Sequence, residues 1–296
     1  MDFDKLRFIR KLVLIAIFSD DDLMDRFVVK GGSAIDLIYK LDSRASVDID
    51  LSMEDDFSEA ELTVVKQKLD VAIRQTFEEH DYTIFDFNIT EKPRNLSPDL
   101  SGFWGGYQVE FKIQTLDNKS IISTNIEMAR KTSQIIGLNN SKKFTIDISK
   151  FEYCKEKESV EIDGYTMYAY TPKMIVIEKL RAICQQMAEY PINQGKTKKS
   201  RPRDFYDITV IVNHYGMTFD EDDFELIQAV FGLKKVDLVL LSLIPNYKNF
   251  FSQDLESLRE TLIASRLAQF NFDDCYDFVI NIAEQILQYN DEKMAI

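Results

Sequence analysis

The sequence has few residues of the types that build redox, zinc or imidazole-based sites. It contains three cysteines and two histidines among 296 residues. Cys154, Cys184 and Cys275 are scattered and lack the paired spacing of a zinc site or a disulfide framework. Such isolated thiols are typical of proteins from the reducing cytosol. His80 and His214 lie outside ligand-like spacing, which also argues against a hydrolase built on a catalytic histidine.

Long apolar runs and excess positive charge are also absent. The longest apolar stretches, such as residues 238–244, are far shorter than the roughly 20 residues that cross a bilayer. The acidic start, Met1-Asp2-Phe3-Asp4, is unlike the basic region of a secretory signal. We therefore predict a cytoplasmic protein that does not bind membranes. The formal net charge of −14 disfavours broad nonspecific binding to nucleic acid, which depends on Lys and Arg contacts to phosphates.

One short segment is strongly basic, although the chain as a whole is acidic. Residues 196–203 read Lys-Thr-Lys-Lys-Ser-Arg-Pro-Arg. Such a run is either a solvated loop or a local positive field that steers a polyphosphate or an RNA toward a site.

Glycine is scarce, and two of the ten glycines stand side by side in Lys30-Gly31-Gly32-Ser33. An apolar strand precedes this motif and an apolar helix, predicted over residues 34–41, follows it. Glycines let backbone N–H groups approach a phosphate at a helix N-terminus. The motif therefore indicates a phosphate-binding turn.

Asp48 and Asp50 follow this turn within an apolar run. In a strand, residues two apart point to the same face, so both carboxylates would project together. Two adjacent carboxylates near an apolar sheet are costly unless a cation compensates them. Mg²⁺ favours carboxylates together with substrate phosphates. The glycine turn and the aspartate pair together predict an enzyme that moves a nucleotide.

The first part of the chain alternates helical and strand periodicity. Residues 4–18 and 58–80 predict helices, the second opened by a capping box of Ser58 and Glu61. Strands are predicted over residues 46–53, 82–89, 107–114 and 143–149, followed by a hairpin over 160–170 that turns on Asp163-Gly164.

From Thr171 the periodicity is helical. Thr171-Pro172 is a helix-start signal, and the helix is predicted to run to about Tyr190. A second helix is predicted over residues 205–214, and residues 219–296 read as further helices. We therefore predict a first domain over residues 1–170 and a helical domain over residues 171–296.

A second group of charged residues lies in these helices. Glu178-Lys179-Leu180-Arg181 interrupts an otherwise apolar helix, and Asp204 and Asp207 share one face of the next helix. Buried charges are usually paired, so Lys179 is expected to bridge to Asp204 or Asp207. A lysine held in this way would also be well placed to meet a triphosphate.

These motifs together resemble a known family. Lys30-Gly31-Gly32-Ser33, Asp48-Ile49-Asp50-Leu51, the Lys179 motif and Arg203-Asp204-Phe205-Tyr206-Asp207 resemble the AbiEii/AbiGii nucleotidyltransferase toxins. These toxins belong to the DNA-polymerase-β-like nucleotidyltransferase superfamily and serve in bacterial toxin–antitoxin and abortive-infection systems. The resemblance is carried by residues 28–53 and 144–212.

The resemblance implies an α+β nucleotidyltransferase fold, with a mixed sheet flanked by helices and an α-helical C-terminal domain that closes the active-site cleft. It implies transfer from an NTP to an acceptor, most simply tRNA, and a cognate antitoxin encoded nearby. Asp48 and Asp50 match the Mg²⁺ carboxylates, and Lys179 and Asp204 match later catalytic positions.

The resemblance also implies a nucleotide-binding set and a third carboxylate. Gly31, Gly32 and Ser33 match the phosphate loop, and Lys30 and Arg203 are assigned to the nucleotide with them. Asp147 matches the third carboxylate of the superfamily, with Glu110 and Glu127 as rivals.

Two other functions stay open at this point. One is transfer to a protein hydroxyl or to a small cationic acceptor of the aminoglycoside type, which an acidic cleft would suit. The other is a binding module that retains the nucleotide without catalysis.

Overall fold

The computed structural model describes residues 3–41, 44, 46–137, 140–193 and 198–294. The chain divides into two compact units. Unit 1 comprises Met1–Lys40 and Ser46–Tyr170, and unit 2 comprises Leu41–Ala45 and Thr171–Ile296. Whether these units act as separate functional domains stays a prediction.

Unit 1 is built on a seven-stranded mixed sheet with the strand order β3-β4-β5-β2-β1-β7-β6. The strands β2 and β5 are parallel, as are β1 and β7, whereas the other neighbours are antiparallel. The strands are β1 (Val28–Lys30), β2 (Ile49–Ser52), β3 (Tyr82–Lys92), β4 (Gly106–Thr115), β5 (Phe144–Ser149), β6 (Glu158–Ile162) and β7 (Tyr165–Ala169).

In the described part of unit 1, six helices accompany this sheet. The helix α1 packs against α4 and β7, and α4 also packs against β3. The turn α3 continues as a π-helix over Ala34–Ile38. The helices are α1 (Phe3–Phe18), α2 (Asp21–Arg26), α3 (Gly31–Ser33), α4 (Glu59–Glu78), α5 (Lys119–Thr124) and α6 (Ile126–Thr132).

Two predicted local signals are confirmed in unit 1. The Glu61 N–H donates to the Ser58 hydroxyl at 3.3 Å, and the Ser58 N–H donates to the Glu61 carboxylate at 3.0 Å, which forms the capping box at the start of α4. The β6–β7 hairpin turns on Asp163 and Gly164, whose φ values of 51° and 85° suit a two-residue turn with both φ angles positive.

The central strands separate apolar from polar side chains. On β2 and β5 the apolar residues Ile49, Leu51, Ile146 and Ile148 are at most 3% exposed. The intervening Asp50 and Asp147 are half-buried on the other face. This alternation anchors the sheet on one side and presents carboxylates on the other.

Unit 2 is helical. Its first helix begins as predicted, with the Met174 N–H donating to the Thr171 hydroxyl at 3.3 Å and Pro172 at the first position. The helices are α7 (Pro172–Cys184), α8 (Pro202–Tyr215), α9 (Phe224–Leu233), α10 (Lys248–Phe251), α11 (Leu255–Arg259), α12 (Ala264–Leu267) and α13 (Phe272–Met294), with a 3-10 segment over Leu238–Tyr247.

The prediction that α7 runs to Tyr190 is wrong over its last residues. The helix ends at Cys184. Tyr190 lies beyond this end and is buried, and its hydroxyl donates to the Lys234 carbonyl at 2.7 Å. An aromatic core forms around α8, where the ring of Phe205 lies 5.1 to 5.6 Å from those of Phe251, Tyr276 and Phe272. Among the described helices, none has a stretch apolar and long enough to span a membrane.

Candidate active site

The strand register aligns a row of polar residues across unit 1. Lys30 lies opposite Asp50, Asp50 opposite Asp147, and Asp147 opposite Gln108. Directly opposed residues on neighbouring strands point to the same face, with Cβ atoms about 4.5–5.5 Å apart in antiparallel pairs. The register therefore brings the predicted metal ligand Asp50 and the predicted third carboxylate Asp147 together. We call Asp50 and Asp147 the carboxylate row.

The surroundings of the row separate Asp147 from its rivals. The Gln108 amide donates to Asp147 Oδ1 at 2.9 Å, which orients this carboxylate. Glu110 is opposite Thr145 and is bound by Lys143 at 2.9 Å. Glu127 lies on α6, and its exposed carboxylate is bound by Arg130 at 2.8 Å. Of the three candidates for the third carboxylate, Asp147 is therefore the one that lies directly beside Asp50.

The predicted phosphate turn lies against the carboxylate row. Gly31 has a φ of +60°, and a Cβ atom at this position would lie 2.6 Å from Oδ2 of Asp50. Only a residue without a side chain fits both the left-handed backbone and this close approach. The glycine turn and the aspartate strand therefore form one structural feature. Asp48, just before β2, is exposed.

The predicted phosphate ligand Ser33 points its side chain inward. Its hydroxyl donates to the Asp48 carbonyl at 2.9 Å and accepts from the Arg10 guanidinium at 3.2 Å. Arg10 in turn binds Asp36 at 2.5 Å, and all three side chains are buried. The side chain of Ser33 holds the loop that leads to Asp48. A phosphate contact by the backbone of Gly31, Gly32 or Ser33 stays a prediction.

Arg10 and Asp36 belong to none of the motifs recognised in the sequence, although they bind each other. Arg10 is 1% exposed in the middle of the apolar helix α1. A charged residue among apolar neighbours in an amphipathic helix was the signal that could have identified it, because a buried charge needs a partner.

Lys30 is also assigned to the nucleotide. Its ammonium points toward Ser149 on β5. The Nζ atom donates to the Ser149 hydroxyl at 3.1 Å and lies 3.7 Å from a Glu152 oxygen. The residue is 7% exposed. A direct contact of Lys30 with the nucleotide stays a prediction.

Unit 2 contains a buried network of charged residues, which we call the Lys179 cluster and which comprises Lys179, Asp204, Asp207, Arg44 and Arg201. The Lys179 ammonium lies 2.8 Å from both Asp204 and Asp207, which confirms the expected bridge. The Arg44 guanidinium binds both oxygens of Asp207, at 2.8 and 2.7 Å. Arg201 binds the second oxygen of Asp204.

The charges of the cluster stabilise one another. Burial alone would raise the pKa of Asp204 and of Asp207, but the cations Arg201, Lys179 and Arg44 outweigh it and hold both carboxyls below their ordinary pKa. Burial also opposes the charged form of Lys179, yet Asp204 and Asp207 raise its pKa. All three groups are therefore ionised at neutral pH.

Arg203 lies beside the cluster. Its guanidinium donates to the Ser257 carbonyl at 3.0 Å and to the Ser257 hydroxyl at 2.6 Å. Burial and the nearby charge of Arg44 lower the pKa of Arg203. In the basic segment, Lys199 is exposed and Lys198 is half-buried, whereas Lys196 lies outside the described residues.

The donor set of the carboxylate row suits magnesium. Mg²⁺ is usually held by one or two carboxylates plus substrate phosphates, rather than by a closed protein cage. Within the described residues, no three His, Cys, Asp or Glu side chains form a group able to hold a metal ion. Asp50 and Asp147 are two carboxylates in register on one face of the sheet, which is the number that such an open site uses.

A mixed sheet with two aligned carboxylates beside a glycine turn is the architecture of a nucleotidyltransferase. Two solved structures share the fold. A Helicobacter pylori protein described as a candidate nucleotidyltransferase is 15% identical, with a TM-score of 0.51 over 97% of this chain and 96% of that chain. JHP933 from Helicobacter pylori is 16% identical, with a TM-score of 0.50 over 99% of this chain and 95% of that chain.

The family follows from the sequence as a whole. The family described as "Nucleotidyl transferase AbiEii toxin, Type IV TA system" matches residues 12–277, and the chain belongs to it. No curated protein matches the chain. The predicted family, fold class and enzyme class are confirmed. Membership implies an NTP substrate and an antitoxin partner.

Proposed function

We propose that this nucleotidyltransferase toxin is Mg²⁺-dependent and transfers a nucleotide from an NTP to tRNA. The observation that carries the proposal is the position of Gly31 against Asp50, with Asp147 in register beside it. This arrangement combines a turn suited to phosphates with a pair of carboxylates suited to a divalent cation.

Each residue of unit 1 has a role in this proposal. Asp50 and Asp147, with Asp48 just before the strand, would hold Mg²⁺, which when bound supplies Lewis-acid stabilisation of the phosphates. Gly31 and Gly32 let the backbone approach the phosphates closely. Gln108 keeps the Asp147 carboxylate oriented through its hydrogen bond. Ser33 fixes the loop before Asp48.

We retain Lys179 and Asp204 as proposed catalytic residues. A lysine ammonium has three donors, and Asp204 and Asp207 occupy two of the directions around Lys179. A cation fixed in this way stabilises phosphate charge without reorganisation during the reaction. Arg203 would contribute further positive charge for the nucleotide.

The proposed acceptor rests on the local charge of residues 198–203. Lys198 and Lys199 precede Arg201 and Arg203, so residues 198–203 concentrate positive charge in an acidic chain. This segment suits a polyanionic acceptor such as tRNA. The net charge of −14 favours the second candidate, a small cationic acceptor.

The proposal is tested by replacing Asp50 with Asn in the full-length protein. We expect the transfer of labelled nucleotide to total tRNA to fall by about 100-fold or more, because the change removes a metal-binding charge without changing the shape of the side chain. The melting temperature without Mg²⁺ should stay level or rise, since carboxylate repulsion is relieved. Asp99→Asn, at an exposed turn, is the matched control.

Transfer at the wild-type rate in Asp50→Asn would refute the mechanism. Labelling of an added polyamine or aminoglycoside, with none of tRNA, would replace the proposed acceptor with the small cationic one. Binding of NTP without any labelled product would identify a binding module.

A further inference from the structure

Lys30 places a buried ammonium on the same sheet face as the carboxylate row. Its Cα atom is opposite that of Asp50, and Asp50 is opposite Asp147. Its ammonium reaches Ser149, which lies two residues beyond Asp147 on β5. The lysine side chain therefore crosses β2 on the face that carries Asp50 and Asp147.

The ammonium is anchored at the far end of this path. Ser149 accepts its hydrogen bond at 3.1 Å. Glu152 lies 3.7 Å away, which is too long for a good hydrogen bond, so this contact is mainly electrostatic. The Glu152 N–H donates to the Met53 carbonyl at 3.0 Å, which fixes the anchor relative to the end of β2.

A second acceptor lies beside this anchor. Ser52 is opposite Ser149 in the sheet register and is 0% exposed. Within the described part of the chain, its hydroxyl has no hydrogen-bond partner. A buried hydroxyl without a partner is costly, and Ser52 therefore offers the ammonium a second acceptor, on β2 itself.

We propose that Lys30 is a positioning residue that acts as the internal counter-cation of the carboxylate row. This inference rests on the proposed Mg²⁺-dependent function. The fixed positive charge compensates Asp50 and Asp147 in the metal-free protein and lowers the affinity of the row for a divalent cation. Because Lys30 reduces the repulsion between the two carboxylates, the site stays ordered before the nucleotide binds. Tight binding of the metal then needs the additional negative charge of the nucleotide phosphates.

A double-mutant cycle tests the charge compensation without any metal or activity. Lys30→Met keeps most of the length of the side chain and removes its charge, so we expect a lower melting temperature in the presence of EDTA. In the Asp50→Asn background the same change should lower it by less than half as much, because one of the carboxylates that need compensation is gone. Lys30→Arg should restore most of the wild-type value.

A metal titration tests the effect on affinity. We expect the half-saturating concentration of Mn²⁺, measured by electron paramagnetic resonance, to fall by about tenfold or more in Lys30→Met, because a unit positive charge on the same sheet face repels a divalent cation. Lys150→Met is the matched control. Lys150 is also buried, at 2% exposure, but it binds Asp56 and Glu91, and its loss should lower the melting temperature without changing the Mn²⁺ affinity.

A structural salt bridge between Lys30 and Glu152 would give a different pattern. Lys30→Met and Glu152→Gln would then lower the melting temperature equally, Asp50→Asn would not reduce the effect, and the Mn²⁺ affinity would not change. That pattern overturns the inference, even if Asp50→Asn abolishes transfer. Conversely, a protein without nucleotide transfer that still shows the coupling between Lys30 and Asp50 would refute the proposed function and support the counter-cation.

Discussion

At the scale of single residues, the buried charges determine where the protein is sensitive to substitution. Asp207 is fully buried. It accepts a hydrogen bond from Arg44 and forms an ion pair with Lys179. Lys179 is 4% exposed, so water compensates its charge poorly when this carboxylate is lost. Ion pairs on the surface are different, because water solvates both partners.

We expect Asp207→Asn to destabilise the protein by about 3–5 kcal/mol, because it leaves buried cations without compensation. Urea unfolding followed by far-ultraviolet circular dichroism measures the change. Glu256→Gln is the control, since Glu256 pairs with Arg259 at the surface and its loss should leave the midpoint unchanged. Equal midpoints for Asp207→Asn and wild type would show that the Lys179 cluster contributes nothing to stability.

The same carboxyls predict how stability depends on pH. The pKa of Asp204 and of Asp207 is lower in the folded protein than the ordinary value, which is about 3.9 in unfolded chains. The unfolded state therefore binds protons first on acidification, so the stabilisation is present above about pH 4 and is lost as the pH falls toward the folded pKa.

At constant ionic strength, the melting temperature should accordingly fall as the pH is lowered from about 5 to about 3. In Asp207→Asn this fall should be smaller, because one of the two depressed carboxyls is missing. Parallel curves for the variant and the wild type would assign the acid sensitivity to other groups.

At the scale of elements, the junction of β1 and α3 at Gly31 has a strict conformational requirement. Gly31 combines a left-handed backbone with close approach to Asp50. Gly216, after α8, has nearly the same φ of +58°, but no atom lies within 4 Å of the position of an added Cβ. A comparison of alanine substitutions at the two glycines therefore separates the effect of backbone strain from that of steric overlap.

Gly216→Ala should cost about 1–2 kcal/mol, the usual strain of a left-handed residue with a side chain. Gly31→Ala should destabilise the protein more and should also reduce transfer, because Asp50 has to move away from the new methyl group. Urea unfolding followed by the fluorescence of Trp104, the single tryptophan, and a transfer assay measure both effects. Equal stability losses with unchanged transfer would mean that the contact with Asp50 is unimportant.

At the scale of the whole molecule, membership in the AbiEii toxin family predicts an effect on a host cell. Expression of the protein in a bacterium without its antitoxin should arrest growth, and Asp50→Asn at equal soluble expression should relieve the arrest. Lys179→Ala is a poor test of catalysis, because it leaves Asp204 and Asp207 buried without their shared cation. Colony counts after induction measure the effect. Arrest by Asp50→Asn that matches wild type would separate toxicity from nucleotide transfer.

Much of this protein could be predicted from local patterns in its sequence. The capping box of Ser58, the Asp163-Gly164 hairpin and the start of α7 at Pro172 depend on residues within one turn of each other. The alternation in β2 and β5 follows from period-two hydrophobicity. The glycine and aspartate motifs indicated the enzyme class, and the Lys179 and Arg203-Asp204 motifs were needed in addition to indicate the family. These features are local, so neighbouring residues determine them.

Tertiary structure decided the remainder. Asp147 lies beside Asp50 because β5 pairs with β2 in a parallel register, which the order of strands along the chain does not reveal. Arg44 meets Asp207 across 163 positions of sequence. The directions of the Ser33 and Lys30 side chains depend on Arg10, Ser149 and Glu152. Strand register and the pairing of buried charges arise from packing between segments that are distant in sequence. A buried charge needs a partner of opposite charge, and only the folded core determines which residue lies close enough to be that partner.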